Sequence, residues 1–244
     1  MSLEKWLLLP DVHVPFHSTA AFNLVLRAAE SAKIKNIVCL GDFADFYAVS
    51  SHPKPPDRRA DLQWEVDEVN KALRRLESTF TGKKKFCAGN HCDRLSRYLS
   101  DRAPELFGTL KIEELFGLKQ NGWEYTPYKS FTKVGKLHLT HDCGKAGPNA
   151  HRDAMNAFQG NVVLGHTHRL GYAVEGNVKG EPHVGAMLGW LGDPEQCDYM
   201  FKVRAARDWA HGFGLAYKEP NGNVHVVPIP IVGGKCLVEG KLVK

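Results

Sequence analysis

The sequence of 244 residues predicts an α/β protein whose second half is mostly β-structure. In the first half, short apolar runs ending abruptly in Gly, Asp, Asn or His alternate with amphipathic stretches, the pattern of alternating strands and helices. After Thr167, Gly-rich segments and turn sequences separate short apolar runs, as in antiparallel hairpins. Because 43% of the residues are hydrophobic, the chain can bury a sizeable core. We therefore expect one domain spanning residues 1–244.

The first half is predicted to contain five strands joined by helices in the order βαβαβαβαβ. Each strand is a short apolar run followed closely by a polar residue or glycine, at residues 6–9, 36–40, 85–88, 137–140 and 162–164. Apolar residues with helical spacing occupy the intervening stretches, at about residues 20–32, 62–78, 93–100 and 149–158.

The second half, from about residue 170 to 244, is predicted to form mostly β-hairpins. The sequence Glu219-Pro220-Asn221-Gly222 lies between two apolar runs and predicts a turn. Residues 236–238 are expected to pair with residues 242–243 across Glu239-Gly240.

Composition indicates the cellular compartment of the protein and the charge of its ligand. The net charge of +5 and the isoelectric point near 8.8 favour a phosphate-bearing ligand without identifying one. The six cysteines are scattered without a Cys-x-x-Cys pair, which indicates a reducing compartment. The apolar run at residues 6–9 is too short for a signal peptide, and no stretch approaches a membrane span. We expect a cytoplasmic protein with no membrane partner.

Polar side chains capable of binding a metal follow all five predicted strands. In open α/β sheets, ligands bind beyond the carboxyl ends of the strands. Asp11 and His13 are two residues apart, so in an extended backbone both would leave the same face, and His166 and His168 repeat this spacing. Thr167, between them, is expected to point the other way.

The full set contains two Asp, one Asn and four His: Asp11, His13, Asp42, Asn90, His141, His166 and His168. Such a set is hard to explain as packing, because a buried unpaired polar group costs roughly 1–3 kcal/mol. Imidazole with carboxylate and amide oxygen suits Mn²⁺, Fe, Zn²⁺ or Ni²⁺ better than Ca²⁺. Seven ligands exceed the three or four usual for one catalytic ion. We therefore expect two divalent ions, with Mn²⁺ favoured and Asp42 as a shared bridge.

These residues resemble the motifs of the calcineurin-like metallophosphoesterases, which run D-x-H, G-D, G-N-H, H and G-H-x-H in this order. Here they stand as Asp11-Val12-His13, Gly41-Asp42, Gly89-Asn90-His91, His141 and Gly165-His166-Thr167-His168. The resemblance covers roughly residues 6–190. It implies a four-layer αββα sandwich of two mixed β-sheets flanked by helices, and a small stand-alone member of the bacterial and phage type.

The resemblance also implies roles for individual residues. One ion would be held by Asp11, His13, Asp42 and His168, and the other by Asp42, Asn90, His141 and His166. His91 would be the histidine that contacts phosphate and protonates the leaving oxygen, so that Asp42, Asn90 and His91 form the catalytic set. Two cations roughly 3.5–4 Å apart would activate a bridging hydroxide for in-line attack on phosphorus. Arg94 is a further candidate for binding substrate phosphate, since Arg contacts such oxygens bidentately.

The sequence departs from relatives at Cys92, which follows the G-N-H motif, and in the segment His141-Asp142-Cys143-Gly144. Both Cys92 and Cys143 should lie close to the site without being ligands. The Asp-Arg-Gly run of protein phosphatases is missing after Asp42, which disfavours a protein substrate. Among the other histidines, His183 is the candidate for an accessory role.

Several alternatives stay open. Hydrolysis of a phosphodiester is favoured, and nucleic acid and nucleotides are candidate substrates. A phosphomonoesterase or nucleotidase, or a protein phosphatase, is the alternative, and a non-catalytic binding scaffold is the remote one. The sequence contains no G-x-x-x-x-G-K-[ST] phosphate loop, no H-E-x-x-H zinc helix and no G-x-S-x-G nucleophile elbow, so these enzyme classes are excluded. The natural substrate, the physiological metal and the oligomeric state do not follow from the sequence.

Overall fold

A computed structural model describes residues 3–54, 59–176, 178, 180–196 and 208–244. Within these residues the chain forms a series of strands and α-helices in the following order: β1 (Glu4–Leu9), α1 (Thr19–Ser31), β2 (Asn36–Leu40), α2 (Leu62–Thr79), β3 (Lys84–Cys87), α3 (Asp93–Arg102), α4 (Ile112–Leu115), β4 (Trp123–Thr126), β5 (Thr132–Val134), β6 (Leu137–Thr140), α5 (Ala150–Phe158), β7 (Val162–Leu164), β8 (Leu170–Glu175), β9 (His183–Leu188), β10 (Gly212–Lys218), β11 (Val224–Pro230), β12 (Cys236–Val238) and β13 (Lys241–Val243). Two short 3₁₀ helices occupy Tyr47–Val49 and Pro104–Leu106.

The strands form two mixed sheets and one separate hairpin. The first sheet has the strand order β11-β10-β1-β2-β3-β4, in which β1 to β4 are parallel and β10 runs antiparallel to β1. The second has the order β5-β6-β7-β9-β8, in which β6, β7 and β9 are parallel and the edge strands β5 and β8 are antiparallel. The hairpin pairs β12 with β13.

Alternating side chains of each buried strand pack into different layers of the molecule. On β1, Trp6 and Leu8 face the second sheet and pack with residues such as Val163 and Leu188. Leu7 and Leu9 point the other way and pack into the cluster that contains the buried faces of α1 and α2. On the far side of the second sheet, α5 covers β7 and β9 through Ala154, Met155 and their neighbours.

This arrangement confirms the predicted four-layer αββα sandwich of two mixed sheets flanked by helices. The five predicted strands and four predicted helices are present with ends shifted by at most two residues. Both predicted hairpins form, since β10 pairs with β11 across the turn that contains Gly222, and Cys236 pairs with Val243. That residues 1–244 form one domain stays a prediction.

The predicted βαβαβαβαβ order is wrong between α3 and β6. The short helix α4 and two additional strands, β4 and β5, lie there. They have only three or four residues each, and β4 and β5 are edge strands, so their apolar patterns are too short to stand out in the sequence. Among the described residues, no helix has the length and apolar character needed to cross a membrane.

Candidate metal centre

The predicted ligands converge at one edge of the sandwich, where strands of both sheets end. Asp11, Asp42 and Asn90 follow β1, β2 and β3 of the first sheet. The ligands from the second sheet follow β6 and β7, and they are His141, His166 and His168. The site therefore lies between the carboxyl ends of two sheets and not along the edge of a single open sheet.

The expectation of extended backbone at the paired ligands is wrong. Asp11 and His13 have φ angles of 29° and 59°, and His166 and His168 have 65° and 57°, so all four lie at positive φ. This conformation costs non-glycine residues energy and is found where surrounding structure enforces it. Here the His13 amide donates a hydrogen bond to the Asp42 carbonyl oxygen (2.9 Å), which joins the loops after β1 and β2.

Each histidine of the second pair belongs to a different cluster, because the backbone turns sharply between them. Thr167 does point away, as predicted: its hydroxyl donates to the Met187 sulfur at 3.1 Å. The structure thus separates the predicted ligands into two neighbouring clusters.

The first cluster consists of Asp11, His13 and His168, all buried. His168 Nε2 lies 3.1 Å from His13 Nε2 and 3.4 Å from Asp11 Oδ1. His13 Nδ1 donates to Asp45 Oδ2 at 3.0 Å, so its Nε2 lone pair points at the cluster. The His168 ring stacks on Trp190, with 4.9 Å between ring centroids, and contacts the edge of Trp209.

The second cluster contains Asp42, His141 and His166, and the Asn90 amide joins it. Asn90 Oδ1 lies 2.8 Å from both His141 Nε2 and His166 Nδ1, and His141 Nε2 is 3.1 Å from Asp42 Oδ2. His141 Nδ1 donates to the Leu40 carbonyl oxygen at 2.9 Å. In the structure Asp42 belongs to this second cluster. Its predicted role as a bridge between two ions stays a proposal.

Burial and the neighbouring charges shift the pKa values of Asp11 and His141 in the two clusters. Burial, together with the neighbouring Asp42 carboxylate, raises the pKa of Asp11 to about 6 against the opposing effect of nearby histidines. For His141, burial alone would lower the pKa, but the carboxylates of Asp42 and Asp11 outweigh it and raise the pKa to about 9. A bound cation would supply the charge that a proton on His141 supplies here.

The donor atoms fit divalent metal ions. Within each cluster the candidate His and Asp atoms lie within 4.8 Å of one another. A metal-binding histidine generally donates its other ring N–H to a carboxylate or a backbone carbonyl, as His13 does to Asp45 and His141 does to Leu40. Imidazole, carboxylate and amide oxygen suit Mn²⁺, Fe, Zn²⁺ or Ni²⁺. The clustered residues could therefore bind metal ions, while the identity and number of the ions remain predictions.

His91 and Arg94 lie beside the two clusters, and His91 forms with His13 and Asp45 a third group whose donor atoms lie within 4.8 Å of one another. The His91 ring is buried, with Nδ1 donating to the Asp45 carbonyl oxygen at 3.1 Å and Nε2 3.8 Å from Asp42 Oδ2. Arg94 donates from Nη1 to Asp45 Oδ1 at 3.0 Å, and its Nη2 lies 3.1 Å from His91 Nε2. Arg94 is thus part of this network and not a solvated surface arginine.

Asp45 is the residue of the site that the sequence reasoning did not assign. Its buried side chain contacts His13, His91 and Arg94 at 3.0–3.3 Å. Burial would raise the pKa of this carboxyl, but the adjacent histidines hold it well below its usual range. The available signal was an acidic residue in the apolar run Phe43-Ala44-Asp45-Phe46, three positions after Asp42.

Glu65 on α2 holds the segment that carries Asp42 and Asp45. Its carboxylate accepts hydrogen bonds from the amides of Tyr47 and Ala48, at 2.9 and 2.7 Å. These amides belong to the first turn of the 3₁₀ helix, where N–H groups have no partner within the helix. Burial raises the pKa of Glu65 to about 7, which marks a carboxyl held in place with little access to water.

Glycines press bare backbone against three of the ligands. A Cβ atom on Gly41 would collide with the His141 ring, and one on Gly89 would collide with the Asp42 carboxylate. At Gly165, a Cβ would lie 2.7 Å from Asp11 Oδ2. The glycines of the G-D, G-N-H and G-H-x-H motifs therefore let strand ends approach the ligands more closely than any side chain would allow.

The remaining candidates lie outside the described metal clusters. Cys92 is buried in the core at the start of α3, where burial raises the pKa of its thiol to about 12. Cys143 is half-buried, and its Sγ faces the Ala150 carbonyl oxygen at 3.9 Å. His183 begins β9 at the end opposite the site, because β9 runs parallel to β7. The structure therefore does not support the accessory role suggested for His183.

Comparison with known proteins finds similarity at low sequence identity. No protein-family model matches the chain. The gene 54 protein of Mycobacterium phage D29 is 25% identical over an alignment of 259 residues that covers 97% of each protein. The gene 54 protein of Mycobacterium phage L5 is 23% identical over 261 residues, with 98% of each protein covered.

Solved structures with similarity to the chain include vacuolar protein sorting 29 from Cryptosporidium parvum, with a TM-score of 0.47 and 16% identity over 99% of this chain and 95% of that one. The phosphoesterase YfcE from E. coli gives a TM-score of 0.40 and 15% identity over 91% of this chain and 98% of that one. At these values the relatives assign no chemistry to the chain.

Proposed function

We propose that the chain is a calcineurin-like metallophosphoesterase that binds two divalent metal ions and hydrolyses a phosphate ester, with a phosphodiester as the favoured substrate. The observation that carries the proposal is the meeting of two histidine and carboxylate clusters next to His91 and Arg94. Asp11, His13 and His168 would hold one ion. Asp42, Asn90, His141 and His166 would hold the other, with Asp42 shared between them.

When bound, the ions would supply a nucleophilic water near neutral pH and neutralise charge on the phosphate. Side chains of the protein would orient the reacting groups and supply the proton for the leaving oxygen. Asp45 accepts the His13 N–H, and its backbone carbonyl accepts the His91 N–H, so both rings are fixed in orientation. With both ring nitrogens protonated, His91 would give the Nε2 proton to the leaving oxygen once Nε2 no longer accepts from Arg94 Nη2. Arg94, next to His91 Nε2, supplies guanidinium donors for the phosphate oxygens.

The proposal is tested by metal content and hydrolysis. Purified protein is expected to contain about two metal ions per chain and to hydrolyse bis(p-nitrophenyl) phosphate with added Mn²⁺, with a higher kcat/KM than for p-nitrophenyl phosphate. Asp42→Asn should lower turnover by at least ~10²-fold. The matched control is Asp67→Asn, because Asp67 lies exposed on α2.

A protein that binds none of Mn²⁺, Fe²⁺, Zn²⁺ or Ni²⁺ and stays inert on both substrates would contradict the proposal and support the binding scaffold. Faster hydrolysis of the monoester would instead favour the phosphomonoesterase alternative.

A further inference from the structure

A groove of about 660 Å³ opens beside the second metal cluster. Its wall is shared with the site, because Asn90 and Arg94 line it. From there it runs along α3 on one side and along the segment from Ser50 to Lys54 on the other. A substrate whose phosphate lies at the clusters could thus extend into this groove without crossing the protein.

The α3 side of the groove is one helical face. Arg94, Arg97, Tyr98 and Arg102 follow the three- and four-residue spacing that places side chains in line on an α-helix. From Arg94 to Arg102 the helix rises by about 12 Å, since each residue adds about 1.5 Å. A strand carries one phosphate per roughly 3.4 Å of helix axis when its bases are stacked. The face is therefore long enough for several phosphates, whereas a single phosphate would contact only its first residue.

The groove carries more positive than negative charge, although Arg94 is paired with Asp45. Four cationic side chains line it, at Lys54, Arg94, Arg97 and Arg102, against one carboxylate, Asp101. Arg97 pairs with Asp93 at 3.1 Å, with 59% and 33% of the two side chains exposed. Arg97 Nη2 also donates to the Asn90 carbonyl oxygen at 3.2 Å. Exposed ion pairs of this kind are weak, so an anion in the groove can compete for Arg97.

One aromatic side chain interrupts the row of cations. Tyr98 lines the groove with 43% of its surface exposed. An exposed aromatic ring between cationic side chains is the arrangement that holds unpaired bases, because every base can stack on such a ring while the cations follow the backbone. Duplex bases are already stacked on one another and would not reach it.

We propose that this groove binds the strand that adjoins the scissile phosphodiester of a single-stranded polynucleotide, with Lys54, Arg97 and Arg102 along the backbone and Tyr98 stacked on a base. The inference rests on the proposed function for the reaction, but strand binding itself does not require catalysis. It makes the substrate a polynucleotide and not a free nucleotide or a small diester.

The test is binding of a fluorescently labelled oligodeoxythymidine in EDTA, followed by anisotropy across a salt series. Lys54→Gln combined with Arg102→Gln should weaken binding at least tenfold at low salt. It should also reduce the slope of log K against log salt by about 1.4, because each contact on a single strand contributes about 0.7. Tyr98→Leu should weaken binding several-fold without changing that slope, and it should have no effect on an abasic oligonucleotide.

The matched control is Lys35→Gln combined with Lys241→Gln, which removes the same charge at exposed positions outside the groove. This control should leave the dissociation constant within about twofold of the unsubstituted protein. Equal weakening by both double variants, or an unchanged constant in the groove variants, would overturn the proposal. Melting temperatures of all variants exclude unfolding as the cause.

Hydrolysis distinguishes this inference from the proposed function. If the protein binds the strand through the groove but cleaves neither model ester, the proposed phosphoesterase activity is contradicted and the proposed strand binding is supported. If the protein cleaves bis(p-nitrophenyl) phosphate but does not bind the strand through the groove, only the proposal that the substrate is a polynucleotide is contradicted. In an active enzyme, the groove variants should lower the ratio of kcat/KM for the oligonucleotide to that for bis(p-nitrophenyl) phosphate at least tenfold.

Discussion

The two ends of the sandwich place charged groups in opposite ways. At the end away from the site, Glu4 pairs with Lys83 and Lys218, and hydrogen bonds from the lysines lower the pKa of its carboxyl. At the site end, burial raises the pKa of Asp11 to about 6. Glu4 is thus paired with two lysines, whereas Asp11 contacts the His168 ring and the His166 amide. This contrast fits the proposed binding of cations next to Asp11.

The largest expected effect is that of metal on stability. An ion that binds only the folded state stabilises it by about 4 kcal/mol at a thousandfold excess over its Kd. For a chain of this size that raises the Tm by roughly 8–16 °C. Differential scanning calorimetry in EDTA and in Mn²⁺ measures the shift.

The comparison between the two ends supplies the control for this experiment. Asp11→Ala should lose most of the shift, because it removes a ligand of the first cluster. Lys218→Gln should keep the whole shift. Equal shifts in both variants would mean that the metal acts elsewhere on the protein.

The pH dependence of stability should reflect Glu65, another buried carboxyl at the site end. Its folded pKa of about 7 lies above the ordinary value of 4.5, so the folded state holds the proton more tightly. Well below pH 4.5 the group is protonated in both the folded and the unfolded state, so its titration does not change the stability with pH. As the pH rises from 4.5 to 7, stability falls, by roughly 3 kcal/mol in total at 1.36 kcal/mol per pKa unit.

Urea unfolding of Glu65→Gln at pH 5 and at pH 7.5 checks this expectation. The stability of the variant relative to the unsubstituted protein should improve as the pH rises, because glutamine does not titrate. Glu68→Gln, which removes an ion-paired carboxyl one turn away on α2, is the matched control. A constant difference at both pH values would show that Glu65 keeps an ordinary pKa.

His91 tests the chemistry at the site end. His91→Ala should lower kcat by at least ~10²-fold, or about 2.7 kcal/mol, because the leaving oxygen would lose its proton donor. Metal content should stay unchanged, since His91 is not among the proposed ligands. Loss of metal together with activity would instead make His91 a ligand.

The smallest effect is expected at the opposite end. Lys218→Gln breaks a pair at 2.8 Å with Glu4, whose carboxylate keeps a second contact with Lys83. Both side chains are partly exposed, at 28% each. Because such pairs contribute little and Glu4 keeps Lys83, urea unfolding should detect a loss of about 1 kcal/mol or less, and turnover should not change. A loss of several kcal/mol would show that this end also depends on its charges.

The predicted ligands, whose metal binding stays a prediction, could be picked out because they lie within a few residues of the end of a short apolar run. Such a run has few ways to fold other than as a buried strand, and its end is therefore well marked. The positive φ angles at Asp11 and His168 leave no such signal, since no glycine marks them. They follow from contacts between loops that are distant in sequence.

The role of Asp45 escaped prediction for the same reason. Nothing close to Asp45 in the sequence shows that it meets His13, which is 32 residues away. The basic loop from Lys54 to Arg59 and the pair Arg94 and Arg97 stand out in the sequence as candidates for holding phosphate. That Lys54 and α3 line one groove follows only from the fold, and the predicted end of α3 near residue 100 left out Arg102. Features made by local pattern were predictable, whereas features made by distant contacts were not.

The glycines behind the ligands also limit how the centre can be redesigned. Gly41, Gly89 and Gly165 place the main chain directly against predicted ligands. No side chain lies at these three contacts that a substitution could change. A directed-evolution campaign that aims at binding a different ion could not adjust those ligands by substituting the glycines that they pack against. Its productive changes would fall on the ligands themselves, or on Asp45 and Trp190, whose side chains contact the imidazoles of the first cluster.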